Sequence, residues 1–431
     1  MSAAPRLAAD HAAVVESLPA AIVTRAAREA ALGAALAHGL PVNRNENWHY
    51  ANLRPLEAVR FTPPLTLTPA AIERARSLLP PPLPGFARYV VVDGLFAAAL
   101  SAAPGVDAGV TVGTGAPLDT AFAADNIDER FGTLAIAFAA DTLAVSAAAK
   151  AARGIEVVHV ATAPAADCGS HPVLVVRAAA GSRLKLIERH IGADEHATFS
   201  NLAIEISLGH GAEVRHVRLQ ELGALAIHVE TLRATVAADA HYILDTVALG
   251  AQSARTTLHA RLGERGARIT YARSVAVDAN QVNDAYAAIE HAAPDTTTTE
   301  DFRGIAAGRA RVAFNGHIVM RPGAARSASR QSLKGLLAGP GTEIDLRPQL
   351  EIYTDDVKAS HGATTGKLDD DMLFYMLSRG VEPRTARSLL KWAFLTELVA
   401  RIGIPELRGA IERAFARRFT GDDAQVAREL V

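Results

Sequence analysis

Ala12, Val15, Leu18 and Ile22 recur at helical spacing, and Ala-rich text continues to Gly39, which predicts a mainly helical start. The string Asn45-Glu46-Asn47-Trp48-His49-Tyr50 and a loop through Pro55 and Pro63-Pro64 follow, then a short helix from Pro69 to Leu79. The run Pro80-Pro81-Pro82-Leu83-Pro84-Gly85 breaks any regular element and predicts a boundary, so residues 1–85 form the first unit. Beyond it the period changes from 3.6 to 2. Ala203-Ile204-Glu205-Ile206-Ser207-Leu208, Glu213-Val214-Arg215-His216-Val217 and Ala267-Arg268-Ile269-Thr270-Tyr271 each read as strands. An Ala-rich stretch near 118–152 reads as either helix or loop.

A weak repeat runs through the strands. A small-residue turn leads into a strand at Gly181-Ser182-Arg183-Leu184, Gly211-Ala212-Glu213-Val214, Gly266-Ala267-Arg268-Ile269 and Gly341-Thr342-Glu343-Ile344, with Ala240-His241-Tyr242-Ile243 as a degenerate copy. The uneven gaps are those of stacked coils with loop insertions, each coil burying its inner face on its neighbours. This favours a parallel β-helix over residues 86–366, although alternation by itself leaves a β-sandwich open.

Helical spacing returns after Asp369-Asp370-Asp371, three carboxylates that suit a helix N-terminus. Leu373, Phe374 and Leu377 form one apolar face. Pro383 and Pro405 open two further helices, so residues 367–431 read as a small helical unit. Its wide apolar surface suits self-packing and partner docking equally.

The chain has 431 residues, is 49% hydrophobic and 21% charged, and carries a formal net charge of -2. Without a basic excess, nucleic acid is not an expected partner. Cys168 is the one cysteine, so the chain has neither a disulfide framework nor a cluster held by its own thiolates. The first 20 residues contain acidic side chains and no long apolar core, and no run of 18 apolar residues occurs elsewhere. A cytoplasmic protein with no membrane association is the expectation.

Several motifs fail on spacing. His361-Gly362-Ala363-Thr364-Thr365-Gly366-Lys367-Leu368 has three residues between its glycines where a phosphate loop needs four, and Leu follows its Lys. No nucleophile elbow and no zincin pair of histidines is present. His190, His210, His216, His228, His241, His259 and His317 fall on expected strands and read as outward-facing or hydrogen-bonded residues, not ligands. Cys168 lies in an Ala/Pro-rich loop without an evident activating neighbour.

The most informative text lies between 301 and 400. Phe302-Arg303-Gly304-Ile305, Phe314-Asn315-Gly316-His317-Ile318 and Gln331-Ser332-Leu333-Lys334-Gly335-Leu336-Leu337 precede PQLEIYTDDVKASHGATTGKLDDDMLFYMLSRGVEP at 348–383. In order and content these resemble the SufB/SufD family of iron–sulfur cluster assembly scaffolds. Glu46, Trp48 and Tyr50 resemble the pattern near the start of the SufD-type chains, and the Ser-His-Gly-Ala-Thr string is the SufD-type form. The resemblance implies a right-handed parallel β-helix flanked by N- and C-terminal helical domains. It implies pairing with SufB through the β-helix, and docking of the ABC-type ATPase SufC on the C-terminal helices. It implies a non-catalytic role in building clusters, with a transient iron–sulfur cluster and a reduced flavin in the complex but no cofactor in the isolated chain. The family's functional histidine corresponds to His361, as a candidate cluster or metal ligand at the seam with SufB. Many relatives have Cys two residues earlier, where this chain has Ala359. Asp355 and Asp356 are near enough in sequence to be considered as partners that orient the imidazole. Two other readings remain: a homodimeric relative that scaffolds without SufB, and a β-helix enzyme acting on polysaccharide.

Overall fold

The computed structural model of the protein describes residues 3–118, 122, 126–149, 153–163, 168–193 and 196–420. Between Phe86 and Lys367 the chain winds as a parallel β-helix with two ten-stranded sheets. The front sheet contains the strands that begin at Arg183, Glu213, His241, Arg268, Thr297, Ser327 and Val357, 27–30 residues apart; the back sheet takes the intervening strands. Each strand pairs in parallel and in register with those one coil before and after, as Glu213–Leu222 does with Arg183–Gly192 and His241–Gly250.

Period-2 alternation sets what faces the lumen. Leu184, Leu186, Val214, Tyr242, Ile269 and Phe302 point inward and merge into one continuous core along the axis. Every coil buries this face only against its neighbours, so stability rests on stacking. The turns into the front-sheet strands that begin at Arg183, Glu213, His241, Arg268 and Thr297 each hold a left-handed residue. Gly181, Gly211 and Gly266 supply it at φ 68, 63 and 72, and Asp239 and Asp295 at φ 54 and 60. Gly341 differs from the expected repeat, because its strand Glu343–Ile352 belongs to the back sheet.

The flanks cover both faces: the N-terminal helix Pro69–Leu78 packs on the first front-sheet strands, and the rest of the N-terminal unit on the back sheet. The helix Arg130–Phe138, inside the Ala-rich stretch, is buried on all sides between the N-terminal helix Arg25–His38 and the back sheet. Its C-terminal carbonyls at Ile136 and Ala137 accept from Arg28 at 3.4 and 3.2 Å, a cation placed where the helix dipole is negative. The Trp48 ring is buried; its Nε1 donates to Asp128 at 2.8 Å, and the Arg255 guanidinium stacks 4.1 Å from the ring centroid. Glu46 pairs with Arg347, and Asn47 accepts from Asn315 at 2.9 Å. The Glu-Asn-Trp string thus pins the N-terminal segment to the back sheet.

On the front sheet, the helices Pro383–Val399 and Pro405–Thr420 lay Leu395, Val399, Leu407, Ile411 and Phe415 over Ile187, Val217, Leu219 and Val247. The C-terminal unit is not packed uniformly. Those two helices self-pack, whereas the helix Asp370–Ser378 keeps Phe374 72% exposed and Met372, Tyr375 and Leu377 open beside it. Asp369 caps that helix, its carboxylate accepting from Met372 N at 2.9 Å. Among the described residues no helix is long and apolar enough to cross a membrane.

Candidate functional site

His361 lies on the strand Val357–Lys367, the last of the front sheet, and the strand Glu343–Ile352 is the last of the back sheet. Among the described residues each pairs on one side only, with Ser327–Leu337 and Arg311–Met320 respectively. Their other edges are open over 11 and 10 residues. Val357 and Ala359 pack partly on the core, and His361 continues the same face, so its imidazole belongs to the luminal column where the solenoid ends. The side chain is exposed there. Ala359 is a small residue packed partly on the core.

Behind His361 the column runs inward through Gln331, in register one coil back, to Glu300, one coil further. Gln331 Nε2 donates to Glu300 Oε2 at 2.6 Å and to the Gly316 carbonyl at 3.0 Å. Burial pushes the Glu300 carboxyl up to about 8, the Gln331 hydrogen bond opposing it, so Glu300 is protonated at neutral pH. A Cβ on Gly316 would overlap the Glu300 carboxylate and approach Gln331 Nε2 to 2.7 Å. One on Gly335, in register with Gly304, would approach Ile344 Cγ2 to 2.6 Å. The glycines of the Phe-Asn-Gly-His and Leu-Lys-Gly-Leu strings are therefore space requirements of the lumen beneath the open end.

Asp355 and Asp356 are not brought to His361. They sit in the turn before the strand, and at roughly 3.3 Å per residue His361 lies about 13 Å or more along it. His317 is hydrogen-bonded on the outer face, where it bridges two coils: Tyr286 Oη contacts its Nδ1 at 3.1 Å and its Nε2 contacts Glu351 at 2.9 Å.

A second polar group lies deep in the lumen; its histidines, expected to be outward-facing or hydrogen-bonded, are hydrogen-bonded and face inward. Glu188, His190, His216, Arg218, His228 and Glu230 are all buried and inward-pointing. Arg218 bonds Glu188 through Nε at 3.0 Å and Glu230 through its terminal nitrogens at 2.6 and 2.8 Å. Burial pushes Glu188 up, but Arg218 and the surrounding imidazoles outweigh it and hold the carboxylate well below its ordinary range. Burial keeps His190 neutral, depressing it to about 3 against the pull of Glu188. The signal for this cluster was available: Glu188 and His190 share parity with Leu184 and Leu186, so all four face one way.

Residues 159–394 match the family described as SUF system FeS cluster assembly, SufBD core domain. The chain is 26% identical to the iron–sulfur cluster assembly protein SufD of Escherichia coli over 398 residues, 89% of this chain and 90% of that protein. It is 30% identical over 220 residues to an iron–sulfur cluster assembly SufBD family protein of Synechocystis, 51% of this chain and 49% of that one. It is also 26% identical over 242 residues to the chloroplastic protein ABCI7 of Arabidopsis thaliana, 56% of this chain and 51% of that one.

Proposed function

The chain belongs to the SufB/SufD family of iron–sulfur cluster assembly proteins, and from that premise we propose how its open end serves assembly. It is a SufD-like subunit of cluster assembly. In this reading SufB adds its own strands to the open edges of Glu343–Ile352 and Val357–Lys367, pairing main chain to main chain. The observation that carries it is the pair of long, one-sided strands, Val357–Lys367 exposed and Glu343–Ile352 half-buried, with His361 on the luminal face of the first. His361 supplies an imidazole to the iron of a nascent cluster, and SufB supplies thiolates, since this chain has no cysteine after Cys168. The cluster is cargo, a substrate passing through the seam, and the reduced flavin serves the complex as a whole.

The SufC ATPase docks on the exposed face of Asp370–Ser378, where Phe374 and its neighbours have nothing of this chain to cover them among the described residues. ATP-driven motion then reaches the seam through a rigid solenoid. The chain itself turns nothing over, and its place is the cytoplasm. Without SufB the same edges are open to a second copy of the chain. Family membership removes the polysaccharide reading.

The test is reconstitution with SufB and SufC. His361→Ala is expected to lower acid-labile sulfide and iron per complex at least tenfold (about 1.4 kcal/mol of cluster stabilisation), while its melting curve and co-purification stay those of the wild type. Unchanged iron and sulfide would remove His361 from the site.

A further inference from the structure

The luminal column that ends at His361 leaves an acceptor and a donor on adjacent rungs, each without a partner. Gln331 lies one coil inside His361, directly in register with it, on the face that Leu333 turns to the core. Its amide is buried and held at one end. Nε2 donates back to Glu300 Oε2 at 2.6 Å and across the lumen to the Gly316 carbonyl at 3.0 Å. Two acceptors around one atom identify it as the nitrogen, so the carbonyl Oε1 lies on the side of the amide away from Glu300. Among the described residues Oε1 has no hydrogen-bond partner although it is buried, and a buried carbonyl left unpaired is costly.

The next rung can supply the donor. In-register side chains on neighbouring parallel strands sit about 4.8 Å apart, the spacing at which stacked amides bond along a ladder. Among the described residues the His361 ring is exposed and has no hydrogen-bond partner of its own. Its neighbours on the same face of the strand, Ala359 and Ala363, carry one methyl each, which leaves the imidazole room to turn between rotamers.

We propose that Gln331 is the positioning residue of His361: its Oε1 accepts one ring N–H and turns the other ring nitrogen outward, toward the iron of the cargo cluster. This deepens the reading of His361 as an iron ligand and rests on it. A ligand histidine commonly donates its second N–H to an oxygen, which fixes both tautomer and ring plane. The neutrality of the amide matters. A carboxylate in its place would favour a second proton on the ring, and an imidazolium has no lone pair for iron. Glu300, one rung further in, is kept protonated by burial and adds no such charge. The glycine at 316 serves the same end, because a Cβ there would crowd Gln331 Nε2 to 2.7 Å and displace the amide that aims Oε1.

The complex with SufB and SufC is loaded with iron and sulfide using the wild-type chain, Gln331→Met and His361→Ala. Gln331→Met keeps the length of the side chain and removes the acceptor. Iron and acid-labile sulfide per complex are expected to fall about tenfold in Gln331→Met. On the reduced cluster that remains, pulsed electron paramagnetic resonance reads the quadrupole coupling of the imidazole nitrogen remote from iron. That coupling follows the hydrogen bond at the remote N–H, so it is expected to shift from the wild-type value; a merely structural role would lower loading without moving it. Reduced loading with a shifted remote nitrogen supports the proposal. Full loading in Gln331→Met, or reduced loading with the remote nitrogen as in the wild type, would overturn it while leaving His361 a ligand. Full loading in His361→Ala, or a wild-type cluster without an imidazole signal, would remove the underlying reading as well. Should Gln331→Met fail to fold, Gln331→Asn, which keeps an amide but draws its carbonyl back by one methylene, is read in the same way.

Discussion

The two ends of the solenoid solve the same problem in opposite ways. At the start, the front sheet is closed by Leu95–Phe96 and the back sheet by Gly105–Asp107, strands of two and three residues that turn antiparallel to their neighbours. Short, reversed edges offer little for another chain to pair with. At the finish, parallel strands of 10 and 11 residues are left bare along their length, and the inward column simply stops at His361. A fold that blunts one edge and leaves the other long offers that second edge for strand pairing. The difference also separates two kinds of polar chemistry: a buried, ion-paired cluster behind the closed end, and a solvent-facing imidazole at the open one.

The comparison can be broken from either side. At the covered flank, Trp48→Ala deletes a fully buried ring together with its contacts to Asp128 and Arg255. A loss of about 3–5 kcal/mol in urea unfolding is expected, with little change in SufB affinity. At the open end, Ala363→Lys with Thr365→Lys places charge on the exposed strand, the device that natural edges use against pairing. SufB affinity is expected to fall about 100-fold, roughly 2.7 kcal/mol, while urea unfolding of the lone chain stays within error; titration of labelled SufB reads this directly.

The pH dependence tests whether the lumen remains dry two coils beneath the opening. Folded Glu300 keeps its proton up to about 8, against an ordinary value of 4.5. Between those values the folded state binds more protons than the unfolded one, so stability falls as pH rises, by at most about 1.4 kcal/mol per unit. Glu300→Gln should flatten that decline in urea melts at pH 5, 6 and 7; an unaltered decline would mean that water reaches the carboxyl. The smallest effect is expected at the helix Asp370–Ser378. Phe374→Lys should weaken SufC binding about tenfold, near 1.4 kcal/mol, leaving SufB binding and stability intact.

Much of this was legible from residue patterns, and what was not has physical reasons. The proline run before Phe86, the capped helices after Asp369 and the family strings could all be read directly. The coil repeat was half hidden because Asp239 and Asp295 take the left-handed turn positions that Gly fills elsewhere, while Gly341 opens a strand of the other sheet. The helix Arg130–Phe138 is short and buried all round, so no exposed polar face sets it apart from the loop text around it. His361 could be identified as a candidate, but its exposure depends on where the last coil stops, which no local pattern encodes. The strand histidines read as outward-facing or hydrogen-bonded; His190, His216 and His228 are hydrogen-bonded but face inward. Parity with Leu184 and Leu186 was the better guide, since coil stacking can bury charge wherever a counter-charge lies in register.

The central claim is that SufB meets this chain on the edges of Glu343–Ile352 and Val357–Lys367. Amide hydrogen exchange on the full-length chain, with and without SufB, tests it most directly. The account predicts new protection concentrated in those two strands, His361 among them, and no change across the closed end. Protection elsewhere on the solenoid, with exchange in both strands as fast as in the lone chain, would contradict it.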